Sequence, residues 1–243
     1  LMRVSHQVEG FKGVKTGVHQ FSISFRYVDY RRLLELVSRV FSVGLERQGK
    51  GKHYKKLWRD NELGIAVSAE HHTDDALSLI EFTGQSFESI GYHAVIELLN
   101  DCLEMNGRCT RIDVFVDFEG DDVTVIEDGW SAACELGRTR LKVRPAMETQ
   151  YGINTSYGWY LGGVNSLRKW RLYDKGLKEY KVANKWQRVE LELKQDYAEQ
   201  FAKQLVESDD QINKMLSAVF HESAWVRPPY FWNKPNGSTV VLK

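Results

Sequence analysis

The sequence predicts an α+β fold, a largely antiparallel, curved sheet with helices packed on one side. Three observations predict it. Several runs alternate apolar and polar residues with a period of two, as half-buried strands do, and between them apolar residues recur at helical spacing. The order strand, helix, three strands, helix is written twice, suggesting pseudo-repeated halves over residues 18–105 and 108–220. Four prolines and no Gly/Ser-rich run leave no flexible linker, so a single domain over residues 1–243 is expected.

The elements follow in order. Residues 1–17 have no readable period, and Leu1 is not a natural start, so a piece of a longer chain is expected. Residues 18–27 alternate cleanly through Phe21, Ile23 and Phe25 and predict a strand. Asp29 is placed to cap a helix whose apolar positions are Leu33, Leu34, Leu36, Val37, Val40 and Phe41, with Gly44 closing it. Strands are predicted at 53–59, 63–69 and 77–83, then a break at Gly84-Gln85-Ser86 and a helix over 87–104. The second half predicts a strand at 110–118, a helix at 123–136, strands at 151–161, 167–176 and 186–194, and helices at 195–206 and near 209–220.

Composition narrows the class. Hydrophobic content of 42% and charged content of 27% are ordinary for a globular protein. No apolar stretch is long enough to cross a membrane, and no signal peptide opens the chain. Cys102, Cys109 and Cys134 are an odd set without CxxC spacing, which points to a reducing compartment and against a zinc knuckle. A cytoplasmic protein without a membrane partner is therefore expected.

The 33 Lys and Arg balance the 33 Asp and Glu, so net charge alone does not indicate nucleic acid. Distribution says more. Basic runs fall at 47–56, 138–144 and 168–188, interleaved with Trp58, Trp170, Tyr180 and Trp186, a pattern suited to a polyanion. Candidate contacts in these runs are Lys55, Lys56, Arg140, Arg168 and Lys169.

Two strands carry unusual side chains. In the run from 111 to 118, Arg111, Asp113 and Asp117 share one face, and Ile112, Val114 and Val116 share the other. In the run from 188 to 193, Arg188, Glu190 and Glu192 share a face opposite Val189, Leu191 and Leu193. Carboxylates on apolar strands are costly to bury unless paired or bound to a cation. The bland reading is an Arg–Asp pair at a strand end; the sharper one is an oxygen-rich site for Mg²⁺ or Mn²⁺. Read as a strand, 168–175 places Arg171, Tyr173 and Lys175 together, so that cations flank a phenol and would favour its ionised form.

With Trp159-Tyr160-Leu161-Gly162, Ser166, Arg171-Leu172-Tyr173-Asp174-Lys175-Gly176, Arg188-Val189-Glu190, Arg111-Ile112-Asp113 and Asp117 in view, the chain resembles the replication initiation factor family. That family holds rolling-circle initiators of plasmids and filamentous phages and relaxases of integrative conjugative elements. The resemblance covers residues 18–225 and is most specific at 157–192. It implies a metal-dependent nick of one DNA strand, with Tyr173 joined to the 5′-phosphate and a 3′-OH released. Tyr173 would be the nucleophile, and Asp113 and Glu190, with Asp117 and Glu192, would hold the metal or support its ligands. Arg171, Lys175 and Arg188 would contact phosphate, with Arg111 a further DNA contact. DNA is the implied partner, with a host helicase and a second copy of the chain as further ones.

Two departures stand out. Gly163-Val164 replaces a Ser-Arg pair common in the family, and Glu179 follows Lys178 one position late, which in a strand would reverse its face. Other nicking chemistries fit less well. His71-His72 are adjacent rather than separated by an apolar residue, and no His-x-x-Arg helix of a tyrosine recombinase is present. The non-enzymatic alternative is an origin-binding or single-strand-binding module using the same basic, aromatic face.

Overall fold

The computed structural model describes residues 3–4, 11–120, 143–150, 153–162, 165–180, 186–208 and 210. The strand predicted at 18–27 is longer at its start. It is β2, Phe11–Arg26, onto which the short β1, Arg3–Val4, pairs antiparallel. Phe21, Ile23 and Phe25 of β2 are fully buried. Tyr27 adopts a left-handed φ of 63° and turns the chain toward α1, Tyr30–Phe41. Asp29 caps that helix as its short carboxylate should, Oδ1 accepting from the Arg31 N–H at 3.0 Å. Closure differs from expectation. Ser42, at φ 57°, takes the left-handed cap position predicted for Gly44.

Four strands follow rather than three: β3 Glu46–Gly49, β4 Tyr54–Asp60, β5 Ile65–His71 and β6 Asp74–Thr83, an antiparallel meander. The extra strand, β3, is wholly exposed, so it carries no apolar alternation to read. Strand β6 returns to β2, with Ser22 opposite Glu81. The helix predicted at 87–104 is two helices, α2 Gly84–Ile90 and α3 Tyr92–Glu104, broken at Gly91, whose φ of 79° no helix tolerates. Phe21, Phe82 and Phe87 form the aromatic centre of this core, with ring centroids 4.9 and 5.1 Å from Phe21. Burying each such ring contributes about 1.5–3 kcal/mol.

Strand β7, Arg108–Gly120, opens the second half. The predicted helices at 123–136 and near 209–220 lie outside the described residues. Then come β8 Val143–Gln150, β9 Ile153–Leu161, β10 Arg168–Asp174, the short α4 Lys175–Tyr180, β11 Trp186–Lys194 and α5 Asp196–Val206. Strand β8 was not predicted. It starts inside the basic run at 138–144 and carries Pro145, which suits its edge position.

The chain forms two compact units. One comprises residues 18–113 and 193–209, the other 1–17, 114–192 and 210–243. In the first, the strand order is β3-β4-β5-β6-β2-β7, with α1 packed on β5, α2 on β6, and α3 against α2 and α5. Arg108 ties α5 down through Asp196 and, at 2.9 Å, Glu199. In the second, the order is β7-β11-β10-β9-β8. Each order follows one rule, a leading strand paired with the last strand of a four-strand meander. Among the described residues the strand part of the expected repeat is present, with one strand more in each half. Among the described residues no helix is long and apolar enough to cross a membrane.

Candidate active site

Strand β10 buries Trp170, Leu172 and Asp174 on one side and leaves Arg171 and Tyr173 half-buried on the other, as alternation predicts. Lys175 does not join them. The strand stops at Asp174, whose Oδ1 accepts from the Leu177 N–H at 2.7 Å and caps α4, so parity ends one residue too soon. Lys175 turns inward instead, buried, with Nζ 4.2 Å from the Trp186 ring centroid. The same helix removes the strand argument that set Glu179 aside; its side chain lies outside the described residues.

On β11 the predicted face holds. Arg188, Glu190 and Glu192 are buried to within 4% exposure, so this is no open solvated surface. The Tyr173 hydroxyl donates to Glu190 Oε1 at 2.6 Å. Arg171 Nε lies 3.1 Å from Glu190 Oε2, and its Nη2 lies 3.5 Å from Glu192 Oε2. Arg188 grips Asp117 with two bonds, Nε to Oδ1 at 2.5 Å and Nη2 to Oδ2 at 2.7 Å, and its Nη1 stands 3.7 Å from Glu190 Oε1. A fork-to-fork pair of this kind is the strongest geometry two such side chains make. Arg188 is thus engaged in bracing the carboxylates, away from solvent, rather than presented to a phosphate.

The electrostatics correct a second expectation. The flanking cations do not favour phenolate at Tyr173 in this arrangement. Burial raises its pKa well above the ordinary value, and the Glu190 charge and hydrogen bond add to this, while Arg188 opposes them only in part. For Arg188, burial favours the neutral form but the Asp117 carboxylate outweighs it, and the guanidinium stays charged.

Two supporting residues escaped sequence reasoning. Phe115, which parity places on the acidic face of β7, lies beneath Arg188, whose Cζ is 3.7 Å from the ring centroid. Gly17, where periodicity failed, leaves room for that ring; a Cβ there would meet Phe115 Cζ at 2.8 Å. A glycine just ahead of a clean strand pattern was the available signal. Gly162, quoted in the motif, has φ 106° at the end of β9, and a Cβ there would meet the Arg168 carbonyl oxygen at 3.0 Å.

The remaining predicted residues sort as follows. Asp113, fully buried, is held by Arg111 through bonds of 2.8 and 2.7 Å, and this pair belongs to the first unit. Arg168 and Lys169 open β10, half-buried. Lys55 pairs with Asp75 at 2.5 Å and Lys56 with Glu70. Arg140 lies outside the described residues. His71 and His72 span the end of β5 and the following turn.

No family model matches the chain, and no curated protein matches it. Among solved structures, it is similar to a rolling-circle replication initiator protein from Geobacillus stearothermophilus, with a TM-score of 0.63, 18% identity and 80% of each chain covered. The fold is that of a rolling-circle initiator. At this identity the initiator fold speaks for the backbone, and the chemistry rests on the side chains just described.

Carboxylate oxygens are the donors Mg²⁺ and Mn²⁺ prefer. As arranged, however, the acids do not fit a divalent ion. Guanidinium groups hold Asp113, Asp117, Glu190 and Glu192, and among the described residues no three acids, histidines or cysteines gather into a metal-holding group.

Proposed function

We propose that this protein is a replication initiator that nicks and rejoins one DNA strand through Tyr173. One observation carries the reading: a phenol hydrogen-bonded at 2.6 Å to a buried carboxylate, which is in turn oriented by an arginine at 3.1 Å. A nucleophile hydrogen-bonded to its base, with an ion-paired arginine orienting that base, is the arrangement that covalent catalysis needs.

The Tyr173 oxygen bonds to phosphorus as the bond from phosphorus to the 3′ oxygen breaks. Glu190 takes the phenol proton, and the departing oxygen takes a proton from water to give a 3′-OH; the 5′-phosphate stays on tyrosine. Arg171, the more exposed of the two arginines on Glu190, is suited to transfer from carboxylate to phosphate. Its departure removes positive charge from Glu190, raises the proton affinity of that carboxylate and makes it a better base. Arg188 and Asp117 are positioning residues in this scheme. A role in conjugative transfer extends the proposal.

The second reading, a non-catalytic origin-binding or single-strand-binding module, draws on the full pairing of the acids with arginines, which suits a structural network. One experiment separates the two. The protein is incubated with single-stranded candidate origin oligonucleotides, with Mn²⁺ or with EDTA, and any DNA–peptide adduct is mapped by mass spectrometry. The expected product is a 5′-phosphotyrosine at Tyr173, lost in Tyr173→Phe while oligonucleotide binding persists. An adduct on Tyr160 would reassign the nucleophile. Binding without any adduct or cleavage would establish the module.

A further inference from the structure

We infer that the loop end of the β3–β6 meander is a contact surface for the phosphate backbone of duplex DNA, through Arg47, Lys50 and Lys52. The inference rests on the DNA-acting reading above and concerns different residues from it.

Antiparallel pairing gathers the relevant segments at one end of the first unit. Tyr54 lies opposite His71, His71 opposite Asp74, and Arg26 opposite Leu77. The His72 N–H donates to the His53 carbonyl and the Tyr27 N–H to the Ala76 carbonyl, each at 3.0 Å. The loop between β3 and β4, the turn between β5 and β6, and the end of β2 therefore share this edge.

The acids at this edge are already taken. Asp74 pairs with Arg26 at 2.9 Å, Asp75 with Lys55 at 2.5 Å, and Glu70 with Lys56. Asp29, just beyond, caps α1 and pairs with Arg31. Arg47, Lys50 and Lys52 are exposed, and among the described residues no acid pairs with them. In a chain of zero net charge, three cations within six residues, with exposed Glu46 the adjoining acid, are a local excess, the footprint of a phosphate contact. This also revises the sequence reading of the run at 47–56. Lys55 and Lys56 are neutralised internally, and the neighbours before them are the ones left over.

Duplex is favoured over single strand because the aromatics beside the loop are already engaged with neighbouring side chains. Tyr30 stacks on Trp58 with centroids 4.7 Å apart, Lys56 Nζ lies 4.8 Å from the Tyr30 ring, and Tyr54 sits edge-on to His71 at 5.1 Å. Stacking platforms for splayed bases are what a single-strand site requires. The exposed aromatic at this end, Tyr27, stands three strands from β4 and carries the Arg26 guanidinium over its ring at 5.4 Å.

The test is fluorescence anisotropy with a labelled duplex of about 20 base pairs lacking any origin-like sequence, titrated at salt from about 50 to 200 mM. Each phosphate contact contributes about 0.9 to the slope of log affinity against log salt, so R47Q/K50Q/K52Q is expected to flatten the slope by about 2–3. Arg39→Gln, toward the far end of α1, is the control for loss of a surface cation away from this edge and should leave it unchanged. An unaltered slope in the triple variant, failure of the native protein to bind duplex, or a loss confined to single-stranded probes would each overturn the inference. Since the duplex carries no nick site, a failure of Tyr173 chemistry in the adduct experiment leaves this result standing, and the reverse holds too.

Discussion

The Tyr173 hydroxyl and the Arg188 guanidinium converge on one oxygen of Glu190, the first at 2.6 Å and the second at 3.7 Å. The phenol is thereby a donor in the resting state, and it can be one only while it keeps its proton. Burial and the Glu190 charge raise its pKa above the unfolded value near 10. The linkage has a definite sign. Stabilisation from the neutral phenol is fully present below about pH 10 and is lost as pH rises through the higher folded value. In alkaline titration followed by phenolate absorbance, folded native protein and folded Tyr173→Phe should give equal amplitude between about pH 9 and 11, where ordinary tyrosines ionise. A deficit of one tyrosine in the variant would show that residue 173 titrates normally, and the hydrogen bond would have to be abandoned.

The Asp117–Arg188 pair is buried on both sides, and truncating one partner strands the other's charge. Asp117→Ala should cost about 3–5 kcal/mol in urea unfolding, whereas Asp117→Leu with Arg188→Met should recover much of the loss. A single-variant cost below about 1 kcal/mol would mean that solvent reaches the pair.

Gly17 and Phe115 form a similar dependence without charge. Gly17→Ala pushes a methyl group to 2.8 Å from the ring that supports Arg188. Overpacking of this kind costs about 1–3 kcal/mol, and Phe115→Leu in the same chain should relieve part of it. Strict additivity of the two substitutions would argue against the contact.

The thiols offer a simple check on the core. Burial pushes Cys109 up to about 12 and Cys102 higher still, both far from the thiolate form at neutral pH. In a Cys134→Ser background, Ellman's reagent should label neither until denaturant is added. Rapid labelling in the folded protein would contradict the burial of α3 at Cys102 or of β7 at Cys109.

What could be read in advance, and what could not, divides along a physical line. Alternation along β2, β7, β10 and β11 was legible because apolar side chains keep to one face of each strand; on β7 and β11 the polar face is buried as well, through charge pairing. Exposed β3 and basic β8 left no such record. The acidic and basic faces of β7 and β11 were legible too, since a charge on an apolar strand demands a partner. Which partner it takes is not written locally.

The chain by itself determined the α+β class, the repeated order, the Asp29 cap and the side of each strand on which Asp117, Tyr173, Arg188 and Glu190 lie, because these depend on neighbours one to four residues away. Only the tertiary structure decided that Arg188 belongs to Asp117, that Tyr173 gives its proton to a bond with Glu190, and that Lys175 turns into a helix over Trp186. Those outcomes pit Coulomb attraction against desolvation between residues up to 71 positions apart, and only the folded arrangement decides that contest.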